Sequence, residues 1–438
     1  MVRIPLFKTQ GDISLEAFET NPIVAEALAT EPTTEVIDAD TVELRLATID
    51  EHEDALDRAF PAVEALREIS FDVAPTIETA NYSDVALVRN VQESASIALG
   101  LPSDEILAPT DRIEVGETLV VEGFKDTVVK AMKKIWDIIV DIALNLASFF
   151  EWITQRIYDE TRNFQKAAAA LNHMPKGEYK GNKEVPFKAG WRVLFPNRNK
   201  VGGMDTIGSN IVAFNKIFLQ TDGHSVSDDL GVKIGDVSIT KVERLPVEYM
   251  SFLSSLKTTL EKRGSINGSD VITPAVSGKR IRYVNGAVFL KEFNPQKDNI
   301  LDNVKRYLDL DIQVEDIEWD SDPESYVLPT PDELRKADPI VFAMNLAMVT
   351  KRGRAFSEMF SRRKLQGMEK AQDETLKLFD KQQYDDSYKP YIEIYPKLVK
   401  RAIVLAGKEN RIENQFAHQY LRALTSFINT VVKAYTKG

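Results

Sequence analysis

The sequence predicts an α+β protein that is predominantly helical, and three observations carry that prediction. Apolar residues recur every three or four positions along most of the chain, the period of helices with one buried face. The period shortens to alternation, with an Asn-Gly turn signal, only between about 175 and 295. The 438 residues, 43% of them hydrophobic, exceed one ordinary domain and supply a sizeable core. Four parts follow in order: an acidic helical leader over 1–122, a long amphipathic helix over 123–174, a small α+β module over 175–295 and a C-terminal helical bundle over 296–438.

Charge sets the leader apart. Residues 1–122 carry 26 Asp and Glu against 7 Lys and Arg, a net of −19, whereas the remainder carries 41 against 48, a net of +7. A swing this large points to an acidic segment with its own task, joined to a body that tolerates polyanions. Two tasks are physically sensible: screening the body from nucleic acid until the leader is removed, or docking on a basic partner. Pro22 opens a first helical run, Asp38 and Asp40 precede a second, TVELRLATIDEHEDALDRAF, and Pro61 begins a short third, PAVEALREIS. Leu44, Leu46, Ile49, Leu56, Phe60 and Leu66 form the apolar stripe of these runs. Ser83 caps a further helix that Gly100 stops, and RIEVGETLVVEGF reads as an extended linker.

From Phe124 to Asn172 a broad apolar face, with Trp136, Ile139, Phe149, Phe150 and Trp152, lies beside a narrow polar stripe that includes Lys130, Asp137, Asp141 and Ser148. Two placements fit. Lys125, Lys130, Lys133 and Lys134 in the first turns, with Trp136 and Trp152 in the middle, suit a helix that lies on a membrane. Asp137, Asp141 and Glu151 suit an anionic membrane badly, which favours a central helix buried among protein neighbours.

In the module, KEVPFKAGWRVLF, GVKIGDVSITKVERL and KRIRYVNGAVFLKEF read as strands, the last folded into a hairpin at Asn285-Gly286. PVEYMSFLSSLKTTLEKRG reads as a helix closed by Gly264. The Gly-rich loop over 202–210 lacks both the Lys-Ser/Thr of a phosphate loop and the spacing of a dinucleotide fingerprint, so it reads as an ordinary turn.

The bundle opens with DNILDNVKRYLDLDI and an acidic run from Asp309 to Asp322 that lacks EF-hand spacing and reads as a solvated loop. One or two helices follow over 332–383, then YPKLVKRAIVLAGKE and NQFAHQYLRALTSFINTVVKAY, joined by short turns. Lys351, Arg352, Arg354, Arg362, Arg363 and Lys364, interleaved with Phe356 and Phe360, could hold phosphates while the rings stack on bases. The alternative is a solvated helix face with its phenylalanines in the core. Lys279, Arg280 and Arg282 make a second basic patch beside the hairpin.

Several chemistries are disfavoured. Without cysteine there is no disulfide, thiolate zinc site or cysteine nucleophile. The histidines, His52, His173, His224 and His418, form no HExxH or HxH pair. GxSxG, phosphate-loop and kinase signatures are missing. The expectation is a chain without catalytic residues, cofactor or metal. No apolar run reaches the ~18 residues of a membrane span or the ~7–15 of a secretory signal, so synthesis in the cytoplasm is expected.

An acidic helical leader ending at VVEGF, followed by a basic body opening with the Trp-rich helix EGFKDTVVKAMKKIWDIIVDIALNLASFFEWI, resembles the internal head proteins of large tailed bacteriophages. That resemblance implies a structural virion protein, assembled inside the capsid after synthesis in the host cytoplasm. Its partners would be other head proteins or the scaffold, with non-specific DNA contact by the body. It also implies an N-terminal propeptide removed by a prohead protease, which cuts after Glu in short motifs. Val120-Val121-Glu122-Gly123 fits such a motif, as do the sequences ending at Glu64 and Glu16. Cutting between Glu122 and Gly123 would discard the −19 leader and leave the +7 body, which suits a compartment that fills with DNA. The alternative function is a membrane-active or toxin-like protein that works through the 124–160 helix, with the leader as its inhibitor.

Overall fold

The structure is a computed structural model that describes residues 39–67, 121–176, 184–195, 237–266, 278–283, 286–291, 299–309, 312–315, 323–336, 356–380 and 384–436, with positions 90, 93, 94, 97 and 234. In chain order these hold α1 (Ala39–Arg67), α2 (Val121–His173), β1 (Glu184–Pro186), 3-10 helices at Ala189–Leu194 and Val242–Arg244, α3 (Leu245–Ile266), β2 (Gly278–Tyr283) and β3 (Gly286–Lys291). They continue with α4 (Ile300–Leu308), β4 (Ile312–Glu315), β5 (Ser325–Val327), α5 (Pro331–Lys336), α6 (Arg362–Asp380), α7 (Lys389–Glu393) and α8 (Tyr395–Thr436). The molecule is predominantly helical with small antiparallel sheets, the class the sequence predicts. Expectations at Pro22, Ser83, Gly100 and the 202–210 loop lie outside the described residues.

α2 and α8 form the axis. At 53 residues α2 is about 80 Å long. Tyr395 meets Trp136 with ring centroids 6.4 Å apart, Gly407 lies against Leu146, and His418 faces Glu160. Residue numbers rise together along both helices, so they run parallel. A Cβ at Gly407 would come within 2.6 Å of Leu146 Cδ1, so the missing side chain is what allows this close approach. α1 packs on α2 and meets α8 through side chains, running against it: Glu64 pairs with Lys397 and Asp57 with Lys400.

Two apolar cores lie along the axis. The first joins α1, the front of α2, α3, α4, α6 and the front of α8, with Ile135, Trp136, Phe149, Phe150, Tyr249 and Tyr307 buried. A buried polar relay crosses it: Trp136 Nε1 donates to Gln372 Oε1 at 2.8 Å, and Gln372 Nε2 donates to the Ile392 carbonyl at 3.0 Å. The second core joins the alanine-rich end of α2, the 189–194 3-10 helix, β5, α5 and the end of α8. Trp191 anchors it, edge-on to Phe427 at 5.2 Å. Arg335 closes the C-terminal end of α2, its guanidinium donating to the carbonyls of Leu171 and Met174, where helix carbonyls lack intrahelical partners. α5 itself is started by a reciprocal cap between Thr330 and Glu333.

The sheets are small. β1 pairs antiparallel with β5, and a second sheet has the order β2-β3-β4. The hairpin expected at Asn285-Gly286 forms, but Tyr283 pairs with Gly286, so the two connecting residues are 284 and 285, one earlier than the turn signal placed them.

Seven readings are corrected. Gly264 does not close a helix, because α3 runs on to Ile266. The acidic run over 309–322 is not all solvated loop, because Ile312–Glu315 is β4, paired with β3. The linker expected over 112–124 stops short of Val121, where α2 begins. Pro61 does not begin a helix; it lies inside the continuous α1. The strand expected over 183–195 survives only at Glu184–Pro186, and Ala189–Leu194 is a 3-10 helix that buries Trp191, Val193 and Leu194 together on one side. In GVKIGDVSITKVERL the described residues form turns and a 3-10 helix, with Ile239 and Val242 buried beside the start of α3. YPKLVKRAIVLAGKE and NQFAHQYLRALTSFINTVVKAY are one helix of 42 residues. Its polar middle interrupts the apolar period without breaking the backbone ladder.

Candidate functional site: an acidic helix on a basic stripe

Lys397, Lys400, Arg401 and Lys408 are spaced by 3, 1 and 7 along α8, which puts them on one helix face. Asp50, Glu53, Asp57 and Glu64 are spaced by 3, 4 and 7 along α1 and share a face in the same way. The antiparallel crossing matches the two rows. Lys397 Nζ pairs with Glu64 and lies 5.5 Å over the Phe60 ring. Lys400, almost entirely buried, pairs with Asp57 and donates to the Glu53 carbonyl at 3.3 Å. Burial lifts the Glu53 carboxyl above its usual range, against the pull of Lys408, Lys400 and Arg401.

Magnitudes decide which effect holds α1 in place. Asp57 and Glu64 are more than half exposed, so their ion pairs contribute no more than about 1 kcal/mol each, screened by salt. Ile49, Leu56, Phe60 and Val63 are buried in the first core, each at roughly 1.5–3 kcal/mol. Apolar burial therefore supplies the adhesion, and the charges set the register and direction. Part of the acidic leader is thereby built into the core of the basic body.

Neither a protein-family model, nor a curated protein, nor a solved structure matches this chain. Geometry alone must therefore sort the sequence-derived candidates. Glu122 and Gly123 fall in the first turn of α2, where backbone N–H groups have no intrahelical acceptor. Glu64 lies within α1, paired with Lys397, so cutting there requires the helix to come apart first. Glu16 is outside the described residues.

The expected nucleic-acid cluster is divided. Lys351, Arg352 and Arg354 lie outside the described residues, while Arg362, Arg363 and Lys364 are exposed in the first turn of α6. Three cations at the positive end of a helix dipole create a local field that an anion would relieve. Phe356 and Phe360 cannot stack on bases. Phe356 is edge-on to Phe150 at 5.1 Å and 5.0 Å from Phe360, and both are buried in the first core. Lys279, Arg280 and Arg282 are spaced along β2.

The apolar face of α2 is occupied by protein. Trp136, Ile139, Phe149 and Phe150 are buried, and Trp152 packs partly buried beside Phe149 at 5.8 Å. A membrane could meet that face only after α1, α6 and α8 had left it. Among the described residues no helix is long and apolar enough to cross a membrane, and no group of His, Asp and Glu could hold a metal ion.

Sequence reasoning missed two features. The α8 stripe has a visible signal in its spacing, but its acidic partners stand 333 and 343 positions away. The buried pair of Glu160 and His418 has no local signal, because a lone histidine on a helix reads as ordinary.

Proposed function

We propose that this chain is a structural protein of the interior of a tailed-phage head, with no catalytic step of its own. Its four parts would divide the work: the leader directs assembly with the scaffold or other head proteins, and the body remains with the DNA after a prohead protease cuts between Glu122 and Gly123. The observation that carries this reading is the acidic helix seated on the basic stripe of α8. While α1 is docked, Lys397 and Lys400 are covered by carboxylates and unavailable to phosphates. Once α1 is gone, Lys397 and Lys400 lose their carboxylate partners and join the exposed Arg362, Arg363 and Lys364 as cations open to phosphates, and DNA contact becomes favourable without any sequence readout. The test is intact mass and N-terminal analysis of the protein from its native particles. A chain that begins at Gly123 is expected; recovery of uncut chains alone would overturn the maturation step.

A further inference from the structure

Among the described residues, the two apolar cores are separate clusters along the α2–α8 pair. On α2 the first core ends at Ile153 and the second begins at Ile157; on α8 they end and begin at Ala406 and Ala417. Among the described side chains of that stretch of α8, the buried polar ones are Asn410 and Asn414. Asn410 Nδ2 donates to the Ala406 carbonyl at 3.0 Å and Asn414 Nδ2 to the Asn410 carbonyl at 2.7 Å, so both amides fold back onto their own helix. Asn414 Oδ1 is buried with no hydrogen-bond acceptance among the described residues. Glu160 and His418, both buried, close this polar layer on the side of the second core. Glu160 Oε1 and His418 Nε2 are 4.0 Å apart, beyond hydrogen-bond reach.

His418 is surrounded by charge. Arg422 lies one turn further along its own helix, and Arg156 and Glu160 approach from α2. A protonated imidazole here would meet two cations and one carboxylate with little water to screen them. Burial first, then Arg422 and Arg156, hold its pKa down at about 4, so the ring is neutral at pH 7 and the contact with Glu160 is not an ion pair.

We propose that this polar layer is an acid-sensitive joint, at which protonation of His418 parts α8 from α2 and opens the second core while the first stays folded. The first core is held by seven described helices, α1 to α4 and α6 to α8, whereas the second depends on the ends of α2 and α8 with short elements between them, so it is the weaker of the two.

The two cores carry separate reporters, because Trp136 lies in the first and Trp191 in the second. The experiment uses full-length chain labelled with 5-fluorotryptophan, its resonances assigned by W136F and W191F and followed by fluorine NMR from pH 7 down to about pH 4. The Trp191 signal is expected to move to its unfolded position at a higher pH than the Trp136 signal, and H418Q is expected to abolish that separation. Should H418Q fail to fold, R422Q provides the second test, because removing a like charge beside His418 should move the Trp191 midpoint to lower pH. Coincident midpoints for the two signals, a Trp191 signal unchanged by acid, or an R422Q midpoint at the wild-type pH would each overturn the proposal.

Discussion

At the scale of single residues, two buried positions on α8 set opposing effects against each other. Ala at Gly407 would gain about 0.8–1 kcal/mol of helix propensity. Its Cβ would also strike Leu146 Cδ1, a side chain already packed in the first core, and overpacking costs about 1–3 kcal/mol. G407A should therefore destabilise by about 1 kcal/mol in urea unfolding. In an L146A background the clash disappears and the same change should stabilise by about 0.5–1 kcal/mol, a reversal of sign that a double-mutant cycle reads directly. His418 is governed by proton linkage. Its pKa is about 4 folded against an ordinary 6.5, so between those values the unfolded chain binds more protons. The stability it contributes is complete above pH 6.5 and is lost as pH falls toward 4, on the order of 2–3 kcal/mol. Unfolding of wild type and H418Q at pH 7 and pH 4.5 should show that loss in wild type alone. Glu53, Glu369 and Asp373 have raised pKa values and therefore act in the opposite sense, favouring the fold as pH falls, which is why the comparison with H418Q is needed.

At the scale of elements, sequence periodicity is reliable where burial is continuous and misleading where it is interrupted. α2 was legible because its apolar residues keep the helical period from Ile135 to Ile157, across both cores. α8 was divided in two because Gly407 and the polar stretch after it look like a helix end, while parallel packing on α2 carries the helix through. The same stretch carries the buried Asn410 and Asn414. Pro61 misled in another way. A proline inside a helix removes one backbone hydrogen bond and crowds the carbonyl four residues earlier, at about 3 kcal/mol, and here the burial of Phe60 and Val63 on either side outweighs it. P61A should accordingly raise stability by about 1 kcal/mol or more without changing the fold. F60A should cost about 3–4 kcal/mol and release α1, seen as loss of protection from hydrogen exchange over 39–67.

At the scale of the whole molecule, the charge division and the fold are two views of one arrangement. A −19 leader and a +7 body predict attraction, but arithmetic cannot say where; the structure shows one place, α1 on α8. Because that contact rests mainly on apolar burial, cutting the chain between Glu122 and Gly123 would not by itself free the stripe. It would only remove the tether, lowering the local concentration of α1 from roughly millimolar to that of the fragments in solution. Inserting a specific protease site at 122–123 in the full chain tests this. After cleavage the 1–122 piece should still co-elute with the body in gel filtration at tens of micromolar, and 1 M salt should change little, because the screened ion pairs contribute least. F60A in the same cut chain should separate the pieces. Only then should the body acquire salt-dependent DNA binding, with log K falling against log salt at a slope near −3 to −4 for about four phosphate contacts. If instead salt alone separates wild-type pieces, the ion pairs carry the adhesion and the balance of forces argued for α1 is reversed.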